Sequence, residues 1–239
     1  MKQTILNKIT ALADEDFEYT FNSDFQSINE LGYGCSGVLT EATVLYFEIK
    51  NMANLLKTGK RLAARVYKIY LETLRTIAKK TQGHFSCFSP ESFLIIYPKD
   101  KLDATYAVDI ARKIADLITK TINEVIEKHS IISFSIGIDM GNILVTKVMS
   151  DNDTDQYVWF GNAIDKAKAI AHECIKPFYV GISGTIYHHL DEDHRFIIKR
   201  IVGFKKQIEI WSTLSYQFEN VKKHLYQTNI LIPFEEEQP

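Results

Sequence analysis

The chain has 239 residues, 46% of them hydrophobic, and a formal net charge of -2 from 28 Lys+Arg against 30 Asp+Glu. That length and apolar content fit one large domain with a sizeable core, and the charge balance argues against a general nucleic-acid binder, which shows a basic excess or stripe. No apolar run approaches the ~18 residues of a membrane-spanning helix, residues 1–13 lack the apolar run of a signal peptide, and Cys35, Cys87 and Cys174 have no paired spacing that points to zinc or to a disulfide framework. A soluble, reduced, cytoplasmic protein with no membrane or nucleic-acid partner is expected.

Residues 1–41 read as an N-terminal extension, with a short helix over Thr4–Leu12 and a Gly-rich loop over Leu31–Gly37. No Lys followed by Ser or Thr stands at the spacing of a phosphate-cradling loop. Val44–Ile49 is an apolar strand that ends on one carboxylate, Glu48. Thr58–Lys80 then shows apolar residues at helical spacing, with Gln82-Gly83 as its stop. Phe85–Phe88 and Phe93–Tyr97 form a hairpin around Ser89-Pro90-Glu91-Ser92. Ala104–Ile126 is a long amphipathic helix, and Ile131–Met140 with Ile143–Val148 is a second hairpin turning at Gly141-Asn142. An exposed acidic loop follows over Met149–Gln156, where the alternation of Asp151, Asp153 and Asp155 lacks the Gly and Glu of a calcium loop.

Tyr157–Asn162 leads into a helix ending near Cys174, and Phe178–Ile182 is a strand. Ser183 is placed to cap a short helix from Gly184 to Leu190. Phe196–Val202 and Ile208–Leu214 form the last hairpin, across Gly203–Lys206, and residues 215–239 form a tail with a possible short helix and a solvated Glu235-Glu236-Glu237. His188, His189 and His194 beside Asp191–Asp193 read as a polar helix end rather than a metal cluster. Helices interleaved with mostly antiparallel strand pairs predict an α+β, ferredoxin-like fold with helices on one face of the sheet.

Three stretches carry a resemblance to the class III adenylate/guanylate cyclase catalytic domain over roughly residues 42–214. Val44–Asn51 resembles the family's strand ending in Phe-x-Asp-Ile. Gly83–Phe88 with Pro90–Leu94 resembles its Gly-Gly…Lys-Phe-x-Gly-Asp hairpin. Gln156–Ala167, with Pro177 and Ile182-Ser183 after it, resembles its Gly-x-x-Val-Asn-x-Ala-x-Arg helix and following strand. Arg65–Leu71 and Val158–Gly161 look most like small stand-alone bacterial cyclases, including the pyrimidine cyclases of antiphage signalling.

The resemblance implies cyclisation of a nucleoside triphosphate in a homodimer, with two divalent ions, Mn or Mg, bridging carboxylates and phosphates. It places the metal ligands at Glu48, Glu91 and the Ile49 carbonyl, and the triphosphate at the amides of Asn51, Met52 and Ala53. The base would meet Cys87 and Val158. Asp165 would stand at the ribose-positioning Asn, contributed by the second chain, and Lys205 or Lys206 would contact phosphate. The departures matter as much. Both acids are Glu rather than Asp, Pro90 replaces a Gly, and the transition-state Arg falls at Ala169, with Lys166 and Lys168 on other helix faces. Cys87 and Val158 lack the charged groups that read adenine, which fits a pyrimidine. A catalytically silent cyclase-homology module, binding nucleotide or only dimerising, is the rival expectation.

Overall fold

The computed structural model describes residues 2–21, 28, 30–32, 35–98, 104–126, 132–148, 156–201 and 204–234. The Asp151/Asp153/Asp155 segment, the Gly203 turn and Glu235–Glu237 lie outside the described residues. In chain order the elements are α1 (Lys2–Ala13), β1 (Glu18–Phe21), β2 (Ser36–Ile49), α2 (Met52–Thr58), α3 (Lys60–Lys80), β3 (His84–Ser89), β4 (Ser92–Pro98) and α4 (Ala104–Asp116, continued by a π-helical Leu117–Ile122 and Asn123–Ile126). Then come β5 (Phe134–Val148), β6 (Gln156–Phe160), α5 (Asn162–Glu173), β7 (Val180–Ser183), α6 (Gly184–His189), α7 (Glu192–Arg195), β8 (Phe196–Ile201), β9 (Phe204–Glu209), β10 (Ser212–Phe218) and β11 (Val221–Thr228).

Among the described residues nine strands form one mostly antiparallel sheet in the order β10-β11-β7-β5-β2-β4-β3, with β1 added to β2 and β6 to β5. The α+β, mostly antiparallel expectation holds, but the helices lie on both faces of the sheet rather than on one, because alternate residues of β2 are buried on opposite sides. β2 sits at the centre because both its faces are buried, which is why it reads as a near-continuous apolar run. Leu45, Phe47 and Ile49 face the core built with α3, α4 and α6. Val44 and Tyr46 face a second cluster built with α5.

Four local expectations are corrected. The helix expected over Thr58–Lys80 begins at Lys60, and a separate short helix, Met52–Thr58, precedes it across Gly59, whose φ of 153° is open to Gly and strained for other residues. Gly141-Asn142 is no hairpin turn: β5 runs straight through it, because β2 pairs with β5 continuously from Gly37↔Thr146 to Ile49↔Phe134. The hairpin partner of β5's far end is β6. Lys205 and Lys206 are not in a turn but in β9, opposite Arg200 and Lys199. The tail holds no helix at its start: β10 and β11 form a hairpin through Glu219 and Asn220, both at positive φ (48° and 62°), as a two-residue primed turn requires. The boundaries expected near residues 42 and 215 fall inside β2 and β10.

The placement of α5 follows from small residues. On β5, Ser135, Gly137 and Asp139 alternate toward α5, opposite Glu48, Tyr46 and Val44 of β2. Gly137 pairs with Gly181 of β7, so two adjacent strands offer no Cβ at the same level. A Cβ at Gly137 would lie 2.0 Å from the Ala167 carbonyl oxygen. The helix therefore lies almost on the backbone of the sheet. Its start is fixed by Gly161, at φ 150°, where a Cβ would meet the Asn142 carbonyl oxygen at 2.6 Å.

Candidate active site

The end of β2 and the β3–β4 turn are joined by backbone. The Ile49 amide donates to the Glu91 carbonyl at 2.8 Å, and Glu48 stands opposite Ser92. Glu48 and Glu91 thus stand on neighbouring backbone at the end of these strands, although Glu91 does not line the cavity that Glu48 lines. Tyr46 lies between them in electrostatic terms. Burial raises its hydroxyl pKa, the Ser92 hydrogen bond partly opposes this, and the charges of Glu48 and Glu91 add to the rise. Glu91 is exposed and its amide donates to the Ser89 hydroxyl.

Glu48 is bound from within the chain. Lys50 Nζ donates to Glu48 Oε2 at 2.7 Å, and the side chains of both are 23% exposed. The same ammonium donates to the Ala171 and His172 carbonyls at 2.8 Å each, in the last turn of α5. His172 Nδ1 is 3.5 Å from Glu48 Oε1. Helix C-termini leave carbonyls unpaired and carry partial negative charge, so a cation there is favoured twice over. The Ser135 hydroxyl also donates to the Ala171 carbonyl at 2.6 Å.

A cavity of about 330 Å³ opens beside Glu48. β2 contributes Tyr46 and Glu48, β10 contributes Gln217, and α5 contributes Asp165, Lys168, Ala169, His172 and Glu173. The α5 residues recur at i, i+3, i+4, i+7 and i+8, one helical face. Asp165 and Glu48 therefore share a cavity within one chain. Lys168 faces the same cavity as Ala169, contrary to the helical-wheel expectation, because adjacent positions on a surface helix both reach a wide opening. Ala169 also packs against the apolar cluster of Ile170, Tyr216 and Leu225. At Ala169, α5 is thus covered by the chain's own β10–β11 hairpin.

Lys166 points the other way, toward Asp139 at 3.8 Å. Asp139 is 1% exposed, and neither carboxylate oxygen has a hydrogen-bond partner of normal geometry. Burial raises its pKa above 3.8, with Ser183, Lys166 and the Met140 amide pulling only partly back. The unfolded chain ionises Asp139 near the ordinary value and the folded chain at a higher one. Stability contributed by this group is thus full below pH 3.8 and falls as pH rises through the raised value. Asp139→Asn should melt with the parent near pH 4 and above it near pH 7. A parent that melts higher at both pH values rules this out.

The remaining expected positions scatter. The Asn51 carbonyl accepts from the Asn54 and Leu55 amides and its side chain accepts from the Ser133 amide, so the α2 start is braced against the residue just before β5. Met52 is buried and Ala53 exposed. Cys87 is exposed, with its thiol 3.2 Å from the Tyr67 hydroxyl. Val158 is half-buried on β6, opposite Thr146. A ring contact links the two strands, the His84 and Trp159 ring centroids being 5.4 Å apart. Neither Cys87, Val158 nor Lys205 lines the cavity with Glu48. His189 contacts the Thr185 carbonyl and His194 contacts Asp109, and no cluster of three or more metal-ligating side chains occurs among the described residues. Sequence reasoning missed Lys50, His172, Asp139 and Gln217. A Lys two residues beyond a strand-end acid and a His in a last helical turn are the signals by which the first two could have been found.

No protein-family model and no curated protein matches the sequence. Solved structures do match in three dimensions. The guanylyl cyclase Cya2 superposes with a TM-score of 0.65 at 15% identity, over 82% of this chain and 94% of its own. The adenylyl cyclase CyaB from P. aeruginosa gives 0.60 at 16%, over 80% and 95%. A class III adenylyl cyclase-like ATP-binding protein from Pseudomonas aeruginosa gives 0.56 at 17%, over 73% and 40%. The chain has the class III cyclase fold. Among its described residues no helix is long and apolar enough to cross a membrane.

For divalent ions the donor set fits in part. Glu91 and the Ile49 carbonyl stand at the edge where an ion would be held, with oxygen ligands suited to Mg or Mn. Glu48 already has a cation on one oxygen.

Proposed function

We propose that the chain is a nucleotide cyclase, converting a nucleoside triphosphate to a 3′,5′-cyclic monophosphate and pyrophosphate. The observation that supports this reading is the joining of the β3–β4 turn to the end of β2, which sets the backbones of Glu48 and Glu91 side by side in a cyclase-type fold. The ribose 3′-hydroxyl gives up its proton to solvent, its oxygen attacks the α-phosphorus, and the bond from that phosphorus to the β-phosphate oxygen breaks, releasing pyrophosphate. A divalent ion bound at Glu91 would activate the attacking oxygen and balance charge on the leaving pyrophosphate. Lys168 takes over part of the task of the missing arginine, facing the cavity from the same stripe as Asp165. A cation aimed at developing phosphoryl charge is worth about 10³–10⁵ in rate when it is an arginine finger. Lys168→Met should therefore lower kcat by about tenfold or more with a smaller change in KM, as expected of a group that acts mainly in the transition state. A change confined to KM would assign Lys168 to ground-state binding instead.

The base is proposed to be a pyrimidine, as CTP or UTP, because Cys87 and Val158 offer none of the charged hydrogen-bond partners a purine rewards. A role in antiphage signalling goes with that substrate class. A homodimer is part of the same reading, and the exposed Val148 and Phe160 on the β5–β6 arm are apolar surface for a second copy to cover. A second reading, a nucleotide-binding module without turnover, is favoured by Ala169 at the arginine position. One experiment separates them. The purified chain is incubated with ATP, GTP, CTP and UTP in turn with Mn²⁺, and cyclic monophosphate is measured. Product from a pyrimidine triphosphate supports the proposal, and binding without product from any of the four leaves the second reading.

A further inference from the structure

We propose that the Lys50 ammonium is the resident cation of Glu48, so that Glu48 takes no divalent ion while Lys50 is in place. The acid-bearing sheet edge as a metal site rests on the cyclase reading, but the ion count does not depend on turnover.

The geometry is that of a filled cation site. An ammonium has three N–H donors and no acceptor. Lys50 has three oxygen partners: Glu48 Oε2 at 2.7 Å and the Ala171 and His172 carbonyls at 2.8 Å. Two of those oxygens end a helix, where the field already favours positive charge. The third is a carboxylate, which makes the hydrogen bond charge-assisted. The second oxygen of Glu48 faces His172 Nδ1 at 3.5 Å, so the carboxylate meets a nitrogen on each side. The same three oxygens would suit a small hard cation, but a divalent ion on Glu48 would stand against the ammonium at short range. Like charges at a shared ligand oppose one another strongly at this degree of burial. Lys50 also fixes the Glu48 carboxylate to the end of α5, the helix that carries Asp165 and Lys168. It thus holds the carboxylate in place as an ion would, with one positive charge where a divalent ion carries two.

The test counts Mn²⁺ bound to the full chain by electron paramagnetic resonance titration, without nucleotide. In the parent background, Glu48→Gln is expected to leave Mn²⁺ affinity and stoichiometry unchanged, whether the parent binds one ion or none. Lys50→Met is expected to gain one site, or about tenfold or more in affinity, and Glu48→Gln in that background should remove the gain, by the about 10–100-fold scale of altered metal sites. A loss of about tenfold or more on Glu48→Gln in the parent overturns the proposal. So does a folded Lys50→Met chain with no gain. If Lys50→Met does not fold, the parent comparison decides alone. Failure of the cyclase reading would show separately, as absence of cyclic product in chains whose ion counts follow these expectations.

Discussion

Glu91→Ala is expected to lower cyclic-nucleotide formation by at least about a hundredfold. Groups that only support metal ligands cost about 10–100-fold when removed, so a ligand at the centre of the site should cost no less. Glu91 is suited to this role by position. It is exposed at the β3–β4 turn, and its carbonyl is held by the Ile49 amide at 2.8 Å, so the side chain projects from a fixed backbone. For the same reason the substitution should barely touch stability, since exposed positions away from packing change it by about 0.5 kcal/mol or less. The measurement is initial rate with the preferred triphosphate and Mn²⁺, set beside the melting temperature. Full activity in a folded Glu91→Ala chain would remove Glu91 from the site. Loss of activity with a fall in melting temperature would instead assign it to the turn.

Gly137→Ala is expected to have the largest effect on stability. A Cβ there would lie 2.0 Å from the Ala167 carbonyl oxygen and 2.5 Å from the Ala171 amide nitrogen, both backbone atoms of α5. Neither can swing aside as a side chain would, so the helix must lift from the sheet. Overpacking typically costs about 1–3 kcal/mol, and a clash with backbone on both counts places this case at about 3 kcal/mol or more. α5 carries the cavity-lining Asp165, Lys168 and His172, and its last carbonyls hold Lys50. Activity should therefore fall together with stability. Chemical denaturation measures the first, and a loss under about 1 kcal/mol would mean that α5 has more play than its contacts indicate. Gly181→Ala should cost less, since its nearest obstacle is the Ile170 side chain at 2.8 Å, which can rotate.

Much of the fold was legible because its signals are local. The apolar run of Val44–Ile49, the stripe of Ala104–Ile126 and the cap at Ser183, whose hydroxyl accepts from the Ile186 amide, each follow from residues near one another in the chain. The misread elements were those where a distant partner decided. Gly141-Asn142 carries a turn signal, but β2 lies alongside and pairs with β5 without a break from Phe134 to Thr146. The tail's primed turn at Glu219-Asn220 contains no Gly, so its strands were hidden until β11 was seen to pair with β7.

The candidate site divides in the same way. Glu48 and Glu91 stand at the end of an apolar strand and in the turn of a predicted hairpin, and a hairpin's turn is brought back to its neighbour by register alone. That much the amino-acid sequence determined. What Glu48 touches was decided by tertiary structure. Lys50 reaches the Ala171 and His172 carbonyls, more than a hundred positions away in sequence, only because Gly137 and Gly181 let α5 lie close to β5 and β7. Charge identity is written in the chain, but which charges meet depends on how near a helix can approach a sheet, and that distance is set by side chains that are absent.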